Sequence, residues 1–157
     1  MTKPDLAPWV EPLSAQLAES RREVEEAVRR IPGTAWDQPS AYPGWSYKDH
    51  LSHLSESHRG VQAVLQAVVA GAQPDLSRFA RIDATNEENR RKHLSTPVDE
   101  LLAAFIRASD ETERLLSELH PEQASLSLGP MTVGQAMQGF AMHDAGHVTE
   151  LRKATQA

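Results

Sequence analysis

The chain contains no cysteine among its 157 residues. Disulfide bonds, zinc–thiolate sites and iron–sulfur clusters are therefore excluded, and any bound metal must be held by His, Asp or Glu side chains. A chain without cysteine also fits a reducing compartment, so we expect a cytoplasmic protein.

Long apolar runs and a surplus of positive charge are also missing. The longest apolar stretch, VQAVLQAVVAGA at residues 61–72, is too short and too interrupted to span a bilayer, and the opening MTKPDLAPWVEPL lacks the apolar segment of a signal peptide. The formal net charge is −6, from 16 Lys and Arg against 22 Asp and Glu. Nucleic acids attract surplus positive charge, so we do not expect one as a partner, and the missing apolar span excludes a membrane partner from our expectations as well.

No segment shows the sustained alternation of apolar and polar residues that is typical of a strand. Apolar residues instead recur at helical spacing over residues 14–31, 46–71, 98–119 and 132–154, and a further helical region starts between residues 76 and 82. The connector PGTAWDQPSAYPGW at residues 32–45 is predicted to be a loop. Four long amphipathic helices without a sheet predict an all-α four-helix bundle, formed as one domain over residues 1–157.

Two histidines lie four residues apart in the segment AMHDAGHVTE at residues 141–150. Residues at this spacing differ by about 40° around a helix and stack about 6 Å apart, so His143 and His147 point the same way, within the predicted buried stripe. Taken alone, the pair is better explained by hydrogen-bonded core histidines than by a metal site, because the spacing is not specific.

The predicted second helix supplies further candidates in GWSYKDHLSHLSESH at residues 44–58, where His50 and His53 can both face the bundle. If this helix runs antiparallel to the last one, His53 comes level with the pair; if parallel, they lie about 10 Å out of register. Three neutral imidazoles on two helices would leave a coordination position open for water or substrate, and both Zn²⁺ and Ni²⁺ suit imidazole.

The same two segments resemble the DinB-like proteins. YPGWSYKDHLSHL, residues 42–54, is similar to the Gly-Trp-Ser start and His-Leu pair of their second helix, and HDAGHVTEL, residues 143–151, resembles their His-Asp-x-x-His segment. The helix pattern of residues 82–119 is similar as well. The resemblance implies an up-down-down-up four-helix bundle, often a homodimer, that binds a divalent metal through His53, His143 and His147.

The resemblance also implies a function. Characterised relatives include bacillithiol-type thiol transferases and mycothiol-dependent maleylpyruvate isomerase, which use the metal to activate a low-molecular-weight thiol. We therefore expect an S-transferase that acts on a small electrophile, with the thiol as a cosubstrate because the chain has no cysteine. The alternatives are a hydrolase that uses a metal-bound water, a non-catalytic metal- or ligand-binding bundle and a metal-free scaffold.

For three residues beside the expected ligands, the sequence leaves more than one role open. His50 stands where the family usually has an aliphatic residue, so it is an alternative ligand, a hydrogen-bond partner of a ligand, or a core substitution. Glu150 replaces a common Gln and could accept a hydrogen bond from a ligand imidazole or approach the metal. Asp144 falls in the apolar stripe and needs an Arg or His partner, or a cavity; a salt bridge and a catalytic base both fit. Like His50 and Glu150, it is also a candidate hydrogen-bond partner of a ligand or an alternative ligand.

Three further histidines and one tryptophan are given structural roles or none. His58, His93 and His120 are taken as ordinary, and Trp45, just before the second helix, is taken as a hydrophobic staple rather than a ligand-stacking residue. No catalytic residue is assigned beyond the metal site.

Overall fold

The computed structural model describes residues 6–157. Its six α-helices are α1 Val10–Arg30, α2 Tyr47–Val69, α3 Ser77–Ala80, α4 Ile82–Lys92, α5 Val98–Leu116 and α6 Val133–Ala154. A 3-10 helix, Pro121–Ser125, and a small hairpin of β1 Ser127–Leu128 and β2 Met131–Thr132 precede α6. The all-α class is confirmed.

The hairpin is a feature that the sequence analysis missed. β1 and β2 are two residues each and pair antiparallel, with Gly129 at a φ of 68° in the turn between them. Strands this short contain too few residues to show alternation, so periodicity could not reveal them.

The starts of α2 and α6 were predicted correctly because both are set by local capping. The Ser46 side chain accepts a hydrogen bond from the Asp49 backbone N–H, and the Asp49 carboxylate accepts one from the Ser46 N–H at 2.8 Å. Thr132 and Gln135 exchange the same two bonds at the start of α6. These capping boxes fix how far along each helix the histidines lie.

Two helix ends differ from the predictions. α1 begins at Val10 rather than at residue 14, since Val10 and Leu13 are both buried and extend its apolar face by a turn. α5 ends at Leu116, although the buried Leu119 continues the apolar pattern beyond the helix. Burial therefore continues past the point where the backbone leaves the helical conformation.

The four long helices share two apolar clusters, and α1 and α2 each pack against both α5 and α6. The first cluster joins the beginnings of α1 and α6 to the ends of α2 and α5, with Leu17, Leu65, Leu116 and Val133 among its members. The second joins the ends of α1 and α6 to the beginnings of α2 and α5, with Val24, Leu54, Phe105 and Leu151 among its members.

No helix within residues 6–157 is long and apolar enough to cross a membrane. The expectation that the chain opens without a signal segment concerns in part residues 1–5, which lie outside the described residues.

Candidate metal centre

Three histidines from α2 and α6 converge on one point. The Nε2 atom of His143 lies 3.0 Å from Nε2 of His53 and 3.1 Å from Nε2 of His147. His50 contacts His147 while His53 contacts His143, so the two helices run antiparallel and the rings come level. Nitrogens bound to one tetrahedral zinc at about 2.0–2.1 Å are about 3.3–3.4 Å apart. The arrangement therefore fits a divalent metal with small side-chain movements.

The three rings differ in exposure. His53 and His147 are buried, with 9% and 3% of their surface exposed, whereas His143 is exposed. The prediction that both α6 histidines lie in the buried stripe was thus wrong for His143, because a cavity adjoins its ring on the side that α2 leaves uncovered. The group of three is closed on the His147 side and open on the His143 side.

Loss of solvation keeps these imidazoles neutral, and it acts also on the partly exposed His143, because its ring lies against His53 and His147. Loss of solvation lowers the pKa of His53 to about 3, and repulsion from His143 and His50 adds to the effect. The same cause lowers the pKa of His50 to about 4 and lowers the pKa of both His143 and His147. Since the neutral imidazole is the form that binds metals, the rings are in the binding form at neutral pH.

His50 is held in a hydrogen-bond chain that ends at His147. The Ser40 hydroxyl donates to the Trp45 carbonyl oxygen at 3.0 Å, so Ser40 Oγ accepts from His50 Nε2–H at 2.8 Å. His50 Nδ1 is then an acceptor, and it lies 2.8 Å from Nδ1 of His147, which must donate. This leaves the Nε2 lone pair of His147 facing the convergence point.

Glu150 lies beside the centre but is turned away from it. Its carboxylate accepts the Ala41 backbone N–H at 3.2 Å and pairs with Lys153. These two contacts, more than the proximity of His50, hold the pKa of Glu150 below its usual value against the cost of burial. Glu150 and His50 are both outside the group of side chains able to share one ion.

Asp144 also faces α2, but it meets His58, which lies further along that helix than His53. Asp144 Oδ2 lies 3.2 Å from His58 Nε2, so the required histidine partner from a neighbouring helix is present. His58 Nδ1 donates to Thr112 Oγ1 at 2.9 Å, because that hydroxyl donates its own hydrogen to the Ala108 carbonyl. Both His58 and Asp144 are 1% exposed. The interpretation of His58 as ordinary was wrong, since it is the partner of a buried carboxylate.

Two aromatic rings of the loop before α2 close the buried side of the centre. Trp45 stacks on His147 at a centroid distance of 5.9 Å and meets His50 and His53 edge-on at 5.3 and 5.0 Å. A hydrophobic staple at this helix start would join Trp45 to His50, and the two rings are in contact. Trp45 therefore makes the predicted staple contact and also packs against the histidines of the centre. Tyr42, which received no role from the sequence, lies 4.7 Å from His50 and 5.3 Å from His147.

The other two histidines that were interpreted as ordinary lie apart from the centre. His93 ends α4 and lies 2.9 Å from Glu56, through Nε2 and Oε1. His120 is exposed and precedes the 3-10 helix.

A family model described as the mycothiol maleylpyruvate isomerase N-terminal domain matches residues 17–149. The chain belongs to this family. Since the family is DinB-like, the resemblance noted from the sequence is confirmed. The matched range includes all three converging histidines. No curated protein and no solved structure matches the chain.

A cavity of about 580 Å³ opens beside this family member's three histidines. His53 and His143 form part of its wall, and the remainder comes mainly from apolar side chains of α2, α4, α6 and the hairpin. Sequence reasoning missed the cavity because these elements are remote from one another along the chain. The donor set and the adjoining space together can hold a divalent metal next to a small molecule.

Proposed function

We propose that this protein is a metal-dependent S-transferase that joins a mycothiol-type thiol to a small electrophile in the cavity. The observation that carries the proposal is the convergence of three neutral imidazoles, His53, His143 and His147, at the edge of the cavity. A divalent cation held by them would lower the pKa of a thiol and so favour its nucleophilic thiolate form. In the reaction, the S–H bond breaks and its proton passes to solvent, while the thiol sulfur forms a bond to an electrophilic carbon and the leaving group departs from that carbon with its bonding electrons.

The proposal needs a centre that keeps one coordination position open. Glu150 and His50, the side chains that could close the site, are both engaged elsewhere: Glu150 with Ala41 and Lys153, and His50 with Ser40 and His147. These contacts support an open centre, as expected of an enzyme rather than a storage protein.

His50 has a positioning role in this proposal. By accepting the Nδ1–H of His147, it fixes which nitrogen of His147 carries the proton and how the ring is oriented. His50→Leu should then weaken metal affinity about 10- to 100-fold, the usual effect of losing such a partner. His50→Gln, whose amide oxygen can still accept the bond, should retain more of the affinity.

We also propose the up-down-down-up order for the four long helices, and a homodimer. The helix order is supported by the two apolar clusters. In each cluster α1 and α6 contribute the same end, and α2 and α5 contribute the other, so α1 and α6 point one way and α2 and α5 the opposite way. The dimer rests on the family resemblance and is checked by the mass of the protein in solution.

The experiment that tests the transferase uses the full chain loaded with Zn²⁺ or Ni²⁺. Metal content is measured first, and the rate of thioether formation is then followed with mycothiol and 1-chloro-2,4-dinitrobenzene, a model electrophile that loses chloride. We expect His147→Ala to lose both the metal and the rate, and the exposed-loop variant His120→Ala to keep both.

Equal rates for the wild type and His147→Ala would contradict the proposed centre. A protein that binds near-stoichiometric metal but accelerates no thiol transfer would contradict the transferase and leave a metal-binding bundle.

A further inference from the structure

One cation in the cavity wall has no acidic partner. Arg78, on α3, lines the cavity, and no carboxylate within residues 6–157 forms an ion pair with it. Its Nε atom is buried and has no hydrogen-bond partner among the described residues. An unsatisfied buried donor is costly, so a guanidinium placed in this way is suited to bind an anion from outside the chain.

The position of the guanidinium is set by Gly60 of α2. Arg78 Cζ lies 3.0 Å from the point that a Cβ atom on Gly60 would occupy, so the charged group rests against the helix backbone. Gly60 is two helical turns beyond His53, which separates Arg78 from the histidine centre by about 10 Å along α2.

The surface around these two points is mainly apolar. Met137 and Phe140 of α6 line the cavity between them, and Val61 and Val64 of α2 continue the apolar wall past Gly60. Between His53 and Gly60, α2 itself contributes Glu56 and Ser57. Of the described residues that line it, Glu56 is the acidic one, and its Oε1 atom already accepts from Arg59 at 3.2 Å and lies 2.9 Å from His93 Nε2. The positive charge of Arg78 is therefore not neutralised within the cavity.

We propose that the cavity binds an amphipathic carboxylate. Its carboxylate pairs with the Arg78 guanidinium, its apolar body lies between α2 and α6, and its far end reaches the histidines about 10 Å away. Arginine suits this role because its planar group offers paired N–H donors that match the two oxygens of a carboxylate. The inference assigns a substrate class to the proposed transferase and to that extent rests on it.

The test compares octanoate with 1-octanol, which has the same carbon chain without the charge. Binding to the metal-free full chain is measured by calorimetry in the presence of a chelator. We expect octanoate to bind more tightly than octanol, and Arg78→Gln to weaken octanoate binding about 10- to 100-fold while octanol affinity is unchanged. The matched control is Arg81→Gln, because Arg81 is exposed and outside the cavity wall; it should change neither affinity.

Gly60→Ala provides a second variant that keeps the charge. The added methyl group requires the guanidinium to shift by a few tenths of an ångström, so octanoate binding should weaken, by less than in Arg78→Gln, although Arg78 is still present. The inference is overturned if octanoate and octanol bind equally, if Arg78→Gln leaves octanoate binding intact, or if it weakens both probes alike.

The two proposals fail independently. Octanoate binding through Arg78 in a chain that takes up no metal when Zn²⁺ or Ni²⁺ is supplied would contradict the transferase alone. A metal-loaded chain that shows no preference for the carboxylate would contradict this inference alone.

Discussion

Acidification should destabilise the metal-free protein because its central histidines are buried in the neutral form. Burial lowers the pKa of His50 to about 4 and of His53 to about 3, and lowers the pKa of His147 as well, from a common reference value of 6.5. In the unfolded chain each side chain returns to that reference value. Below it the unfolded state binds protons that the folded state does not, so stability is present above about pH 6.5 and is lost as the pH falls.

The size of the effect follows from proton linkage. Each of the three histidines changes the free energy of unfolding by about 1.4 kcal/mol per pH unit once the pH is well below the unfolded pKa. Between about pH 7.5 and about pH 5 this amounts to about 2 kcal/mol per histidine, or up to about 6 kcal/mol for the three. A loss of this size is a large part of the stability of an ordinary domain, which is about 5–15 kcal/mol.

The assay is urea unfolding with a chelator present, at the two pH values, for the wild type, His53→Gln and His120→Gln. His53→Gln removes one buried imidazole and should reduce the pH dependence by about 2 kcal/mol. His120 is exposed, so His120→Gln should leave it unchanged. If all three proteins lose the same free energy between the two pH values, the buried neutral histidines are not its cause.

Three further changes are expected to alter the free energy of unfolding in urea. Gly146→Ala should raise it by about 0.5–1 kcal/mol, because Gly146 is inside α6 with open space at the Cβ position; an unchanged or lower value would contradict this. Phe105→Ala should lower it by about 3–5 kcal/mol, since Phe105 is fully buried, while the exposed Met142→Ala should stay within about 0.5 kcal/mol. His58→Ala should lower it by about 3–5 kcal/mol by leaving the Asp144 carboxylate buried without its partner, and a loss below about 1 kcal/mol would indicate that Asp144 finds another.

The interactions that the sequence predicted well are local ones. The capping boxes at Ser46 and Thr132 involve residues three apart, so the starts of α2 and α6 could be read directly from the chain. The shared direction of His143 and His147 follows from helical geometry over a single turn. Asp144 could be assigned a histidine or arginine partner, because an unpaired carboxylate in an apolar stripe is too costly.

The features that the sequence analysis missed, the exposure of His143 and the pairing of His58 with Asp144, depend on what packs against each helix face in the folded protein. His143 lies on the same helical face as His147, yet one is exposed and the other buried, since a cavity borders one and aromatic rings cover the other. His58 could not be identified as the partner of Asp144, because 86 residues separate them.

By itself, the sequence determined an all-helical chain, the starts of its histidine-bearing helices and the family to which it belongs. Tertiary packing alone decided that His50 orients His147, that His58 meets Asp144 and that Arg78 faces a cavity. The physical reason is that turns and caps form between neighbouring residues, whereas these contacts depend on how side chains interlock between helices far apart in the chain.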